Sequence, residues 1–177
     1  LISKGCVLIS QHADSMGAPT ACENAGIPNV SYNGSTLDAC PNTFIVSSRI
    51  NWVPYMKYMI ECVRDGKEIA TDWCKGINEG AVELTPINEK VAAPGTAEAI
   101  KAAEEQFKAG TLHVFDTSTF TVNGKTLTSY MADVNKDDKN TPDTEVISNG
   151  YFHESEKRSA PYFDIKIDGI TLLNTAY

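Results

Sequence analysis

Three short segments of this chain gather side chains able to recognise a ligand. Gln11, His12, Asp14 and Ser15 make the first, Tyr32-Asn33-Gly34 the second, and Arg49, Asn51 and Trp52 the third. Together they offer two aromatic faces, amide donors and acceptors, an imidazole and a carboxylate. Aromatic rings stack on a flat heterocycle, while amides and carboxylates match the hydrogen-bonding groups along its edge. The predicted chemistry is therefore reversible capture of a small flat molecule by Gln11, His12, Asp14, Tyr32, Asn33, Asn51 and Trp52. Each segment also has a plainer reading. His12 with Asp14 makes a helix cap beside a surface imidazole, Asn33-Gly34 makes a turn, and Trp52 packs, as large aromatics usually do. Trp73 and the Tyr55/Tyr58 pair read as packing residues.

The elements that must position these segments alternate strand and helix. Residues 5–10 form an apolar, β-rich run, and residues 15–25 read as a helix capped by Asp14 or Ser15 and ended by Gly26. Pro28 to Tyr32 and Thr43 to Ile50 follow as strands. A helix then starts at Asn51 as N-cap with Pro54 in its first turn, carries an apolar stripe of Met56, Met59, Ile60 and Val63, and stops at Gly66. A second helix runs from about Thr96 to Ala109, with Gly110 at its end. Strands separated by helices imply a parallel α/β sheet through residue 110. In such sheets ligands bind beyond the carboxyl ends of the strands, which is where all three segments fall. Backbone N–H groups at a helix start near Ser15 add further donors. The last third reads differently. Asn123-Gly124 between Phe120–Val122 and Lys125–Thr128 is a hairpin signature, residues 133–145 form an acidic loop, and Phe163 to Asp168 alternates as a strand with one wet face.

Composition narrows the function further. The chain has 177 residues, 42% of them hydrophobic, enough for a real core, and its net charge of −8 argues against nucleic acid. No apolar run reaches the roughly 18 residues of a membrane span. Covalent chemistry lacks its parts: there is no Gly-x-Ser-x-Gly elbow, P-loop or HExxH, and the histidines at 12, 113 and 153 stand far apart in sequence. No cofactor and no metal is expected. The five cysteines, at 6, 22, 40, 62 and 74, have no zinc-like spacing. Cys6 reads as a buried inert thiol. Cys22/Cys40 and Cys62/Cys74 each span a loop that an exported protein could close as a disulfide. Asp133-x-Asn135-x-Asp137-Asp138 resembles the start of a calcium loop, but Asp138 stands where glycine is required and Thr144 where glutamate is required, so the segment reads as a solvated acidic loop. The opening at Leu1, directly before the first strand, suggests a fragment of a longer protein.

Several blocks resemble successive motifs of the basic membrane protein family of ABC-transporter substrate-binding lipoproteins. They are Ile9-Ser10-Gln11-His12-Ala13-Asp14-Ser15, Ile27-Pro28-Asn29-Val30-Ser31-Tyr32-Asn33, Arg49-Ile50-Asn51-Trp52-Val53-Pro54-Tyr55, and Glu79-Gly80-Ala81-Val82-Glu83-Leu84. The resemblance implies a type I periplasmic-binding fold of two α/β lobes closing on a ligand, with this chain as about its C-terminal half. Residues 1–50 would belong to the C-terminal lobe, 51–110 to the inter-lobe crossing and its helices, and 111–177 to a β-rich tail completing the lobes. It further implies a non-catalytic, extracytoplasmic, lipid-anchored component that binds a purine base or nucleoside and delivers it to an ABC permease. The Gln11-His12 pair departs from nucleoside-binding relatives and tilts the expectation towards a free base. Two alternatives are a surface or adhesion module on the same fold and a small hydrolase using His12 and Asp14.

Overall fold

The computed structural model describes residues 1–135, 142–158 and 162–173. The chain divides into two compact units, residues 1–69 with 75–109 and residues 70–74 with 110–177. The fold is mixed α/β: a parallel sheet with helices, followed by antiparallel hairpins.

In the first unit, β1 (Ile9–Ser10), β2 (Asn29–Tyr32) and β3 (Phe44–Ile50) are parallel neighbours, and β4 (Val82–Leu84) joins the far side of β3. β4 runs antiparallel, with Ser48 opposite Leu84 and Ile50 opposite Val82, so the parallel order expected through residue 110 ends at β3. Arg49 and Glu83 face each other in this register and form an ion pair at 2.6 Å. α1 (Gly17–Ala25) connects β1 to β2 and ends where Gly26, at φ 66°, returns its N–H to the carbonyls of Cys22 and Glu23. α2 (Val53–Arg64) follows β3 and α3 (Thr96–Ala109) follows β4. Among the described residues, no helix is long and apolar enough to cross a membrane.

The sheet's interior is unusually polar. Phe44, Val46 and Ile9 are buried, and so are Asn29, Ser31, Thr43, Ser47, Thr85 and Asn88. These polar groups are paired, as burial requires. Asn29 Nδ2 donates to the Ile9 carbonyl at 2.9 Å, and Ser31 Oγ donates to Asn29 Oδ1 at 2.6 Å. Asn88 Nδ2 donates to the carbonyls of Pro41 and Phe44, and Ser47 N–H donates to Thr85 Oγ1. Side chains thus tie β1 to β2, and β3 to the segment after β4. Glu23 adds a tie from α1: it accepts from the Asn42 amide and from the Thr43 hydroxyl at 2.7 Å. The Thr43 hydroxyl is the main reason its carboxyl sits below the usual range.

Three expectations fail here for physical reasons. β1 covers only the last two residues of the run 5–10, because Gly5 turns the chain at φ 82° and Val7, 79% exposed, has no partner. The α2 stripe is only partly packed: Met59 is half-buried, Met56, Ile60 and Val63 are exposed, and Cys62 is the helix's buried residue. Cys6 is half-buried, not buried, and no disulfide joins any of the five cysteines.

The second unit has an aromatic core. Phe152 is fully buried and its ring meets Phe115, Tyr130, Tyr162 and Phe163. Its hairpins are β5 (Met131–Ala132) with β6 (Thr144–Glu145), and β7 (Ile147–Ser148) with β8 (Tyr151–Phe152). The Asn123-Gly124 turn forms, with both residues at positive φ, but closes a single bridge between Val122 and Lys125. Asp168 holds it, accepting from the Thr121 hydroxyl and the Asn123 and Gly124 amides. The predicted strand over 163–168 does not form. The alternation survives as half-buried Phe163, Ile165 and Ile167 against exposed Asp164, Lys166 and Asp168, but among the described residues no second strand completes a ladder.

Candidate functional site

The carboxyl ends of β1 and β2 lie side by side, because the two strands are parallel with Ser10 opposite Val30. The segments that follow are clasped together. The rings of His12 and Tyr32 lie with centroids 4.3 Å apart at 35°. Asn33 Nδ2 donates to Asp14 Oδ1 at 3.0 Å. Asn33 itself is turned back at φ 68°, with its N–H on the Ser48 carbonyl of β3 at 2.7 Å. Asparagine tolerates this left-handed conformation better than other side-chain-bearing residues. The strand end therefore both positions the Asn33 amide and reverses the chain.

Gln11 organises the first segment. Its N–H continues the β1–β2 pairing onto the Val30 carbonyl, and its Nε2 donates to the carbonyls of Ala13 (3.0 Å) and Ser15 (3.2 Å). With both donors committed, Oε1 cannot exchange roles with Nε2, and it is left buried with no partner. A buried unpaired acceptor costs about 1–3 kcal/mol.

The structure thus brings together Gln11, His12, Asp14, Tyr32 and Asn33. Asp14 does not cap α1, whose N-cap is Met16 without a side-chain bond; its carboxylate is engaged by Asn33 instead. Nor do His12 and Asp14 pair with each other, since the imidazole lies on Tyr32. Asn51 and Trp52 extend from the same edge of the sheet but serve α2. Asn51 Oδ1 accepts from the Val53 N–H at 3.2 Å, a capping contact made one residue before the Trp52 N-cap. Trp52 is 57% exposed and meets the Tyr55 ring edge-on at 6.3 Å. It lines a shallow groove of 460 Å³ along α2 with Val53, Met56 and Ile60, in which none of the clasp residues takes part. Arg49 is held by Glu83.

No family model matches the sequence, and no curated protein matches it. Among solved structures the chain is similar to a solute-binding protein of an ABC transporter system from Conexibacter woesei DSM 14684, at 19% identity and a TM-score of 0.48. The match covers 64% of this chain and 38% of that protein, so the chain spans well under half of its length.

Asp137 and Asp138 lie outside the described residues. Asn135 bonds Asp143, and Glu145 accepts from the Ser129 hydroxyl and the Tyr130 and Ile147 amides. Among the described residues, no group of three or more metal-binding side chains converges.

Sequence reasoning missed one constellation entirely. Ser148, His153 and Glu156 meet in the second unit, with Ser148 Oγ 2.8 Å from His153 Nε2 and Glu156 on Nδ1. The signal for it was Asn149-Gly150, a two-residue hairpin turn that aligns Ser148 with Tyr151 and places His153 two residues further on the same face.

Proposed function

We propose that this chain forms one wall of the ligand cleft in an extracytoplasmic, lipid-anchored solute-binding component of an ABC importer. Its ligand is a flat heterocycle, a purine base or nucleoside, and it is released unchanged to the permease. The observation that carries this reading is the clasp at the carboxyl edge of β1 and β2. A ring pair, a carboxylate–amide pair and the unpartnered Oε1 of Gln11 stand within five side chains. Such a set matches a heterocycle's face and edge without a nucleophile or a general base poised for reaction. The resemblance of the Gln11–Ser15, Tyr32–Asn33 and Arg49–Tyr55 blocks to the basic membrane protein family supports the same reading. On that resemblance the opposite wall comes from the other lobe of a longer protein, and closure buries the ligand.

The test is isothermal titration against adenine, guanine, adenosine, guanosine and ribose, run on this chain and on a two-lobe protein that contains it. The two-lobe protein should bind a purine with micromolar or tighter affinity and return it chemically intact. The 177-residue chain should bind the same purine weakly or not at all. Silence across every purine sinks the ligand assignment and favours a surface module on the same fold. Equal affinity of the two proteins sinks the two-wall assignment.

A further inference from the structure

We propose that Ser148 is an activated nucleophile that accepts acyl groups from small ester substrates, with His153 as its general base and Glu156 as the residue that orients the imidazole. The site lies wholly in the second unit and is independent of the clasp.

The geometry follows from the hairpin. Ile147 pairs with Phe152, and both point into the aromatic core. Side chains alternate along a strand, so Ser148, Tyr151 and His153 share the opposite face. His153 N–H bonds the Val146 carbonyl at 2.9 Å, extending the ladder one residue. The His153 carbonyl accepts from the buried Tyr162 hydroxyl. The imidazole is therefore held at its backbone on both sides. Its ring packs 4.0 Å from Tyr151, which in turn stacks on His113 at 3.6 Å and 3°. The His153 side chain is only 11% exposed, whereas Ser148 is open to solvent.

Proton positions follow from charge. The hydrogen bond from His153 holds the Glu156 carboxyl below its ordinary range, so at neutral pH it is an acceptor and Nδ1 must carry the proton. In the neutral imidazole Nε2 then carries the lone pair and accepts from the Ser148 hydroxyl at 2.8 Å, with the Ser148 carbonyl 3.3 Å from the same nitrogen. A nucleophile bonded to a base that a third group orients is the arrangement that activates serine. The amides of Asn149 and Gly150, directly after Ser148, donate to no acceptor among the described residues.

The reaction balances without any outside redox partner. Ser148 Oγ attacks the ester carbonyl carbon as its proton moves to Nε2, and the carbonyl π pair goes to oxygen. When the tetrahedral centre collapses, the bond to the alcohol oxygen breaks. That oxygen takes the proton from Nε2, leaving acyl-Ser148 and neutral His153. Water then attacks the acyl group by the same relay and restores the serine.

The experiment is labelling of the full chain with a fluorophosphonate probe and with p-nitrophenyl acetate, followed by peptide mapping. The exposed Ser118, whose hydroxyl donates to the Asp116 carboxylate and not to an imidazole, is an internal control. Ser148 should label at least about 10²-fold faster than Ser118, since general-base assistance contributes about 10²–10⁴-fold. Ser148→Ala should abolish the adduct, and His153→Gln should slow labelling of Ser148 by about 10²-fold. Glu156→Gln should slow it less and move the pH profile of Ser148 labelling, which a carboxylate that only supports the fold would leave in place. Labelling spread evenly over exposed serines overturns the proposal. So does unchanged Ser148 reactivity in a folded His153→Gln variant, with folding judged by the amide spectrum.

Discussion

The two units solve the problem of a small core in opposite ways. In the first, Asn29, Ser31, Thr43, Ser47, Thr85 and Asn88 are buried around the strands and carry hydrogen bonds between them. In the second, Phe152 collects four aromatic neighbours, and Val146, Ile147 and Tyr162 close around it. Hydrogen bonds are directional and apolar burial is not. A polar interior therefore fixes strand register and the positions of strand ends, which is what the clasp beyond β1 and β2 depends on. An aromatic interior supplies cohesion with little regular structure, which suits hairpins of two residues per strand. The largest effects of substitution should follow this division.

Phe152→Ala should be the most damaging change. Removing a fully buried phenylalanine ring costs about 3–5 kcal/mol, part of it from the cavity left behind. Urea unfolding followed by near-ultraviolet dichroism, and exchange of the Val146 and His153 amides, should register the loss. A cost under about 1 kcal/mol would mean that the aromatic cluster collapses around the gap and is not a close-packed core.

Asn29→Ala tests the polar interior and should cost about 2 kcal/mol. It removes the donor to the Ile9 carbonyl and one partner of the Ser31 hydroxyl, which keeps Thr36 Oγ1 at 3.0 Å, and a buried group left unpaired costs about 1–3 kcal/mol. Because the Ile9 contact fixes β1, the variant should also loosen the Gln11 N–H bond to Val30, visible as faster exchange of that amide. Full protection at Gln11 would show that backbone pairing alone holds the edge.

The sequence made much of this legible where local signals and tertiary demands agree. α3 lies where its periodicity and the terminal Gly110 place it. β2 and β3 lie within a residue of their apolar runs. The misses have one source: a pattern shows which face prefers burial, not whether a partner is present to bury it. The stripe on α2 has helical spacing and stays largely exposed, and 163–168 has strand alternation and, among the described residues, no strand beside it. At the site, the residue types were legible but their partnerships were not. Asp14 has two local roles available, cap or clasp, and Asn33, nineteen residues away, decides between them.

The units should also differ under alkali. Burial raises the Cys22 and Cys40 thiols in the first unit. In the second, the bond to Asp164 raises the Tyr130 phenol and burial raises that of Tyr162. For each group the folded chain keeps its proton while the unfolded chain has begun to lose it. The stability this gives is complete below the ordinary value and is lost as pH rises from there through the raised folded value. The first unit should therefore weaken in the thiol range and the second only in the higher phenol range. Under acid the sign reverses. Glu23 in one unit and Glu145 and Asp168 in the other are lowered, chiefly by hydroxyl donors. Their contribution is present above the ordinary carboxylate range and is lost as pH falls through it towards the depressed values. Unfolding midpoints across pH, with Cys22→Ala/Cys40→Ala as reference, should show the thiol step disappear in the double variant. Persistence of that step would assign it to other groups.

The smallest effect on stability belongs to Trp52. A ring 57% exposed, touching Tyr55 edge-on, contributes little to the fold, and exposed substitutions usually stay within about 0.5 kcal/mol. Trp52→Ala should leave the unfolding midpoint almost unchanged, unlike Phe152→Ala. Its value as a test lies in binding. Stacking an aromatic on a base is worth roughly 1–3 kcal/mol, so if the ring closes over the ligand, the two-lobe protein should lose about ten-fold or more in affinity. Trp73, half-buried in the second unit, is the control, and its alanine variant should shift stability and leave affinity alone. Should Trp52→Ala bind normally, the ligand's aromatic partner narrows to the His12–Tyr32 pair, and Tyr32→Ala becomes the variant that must lose affinity.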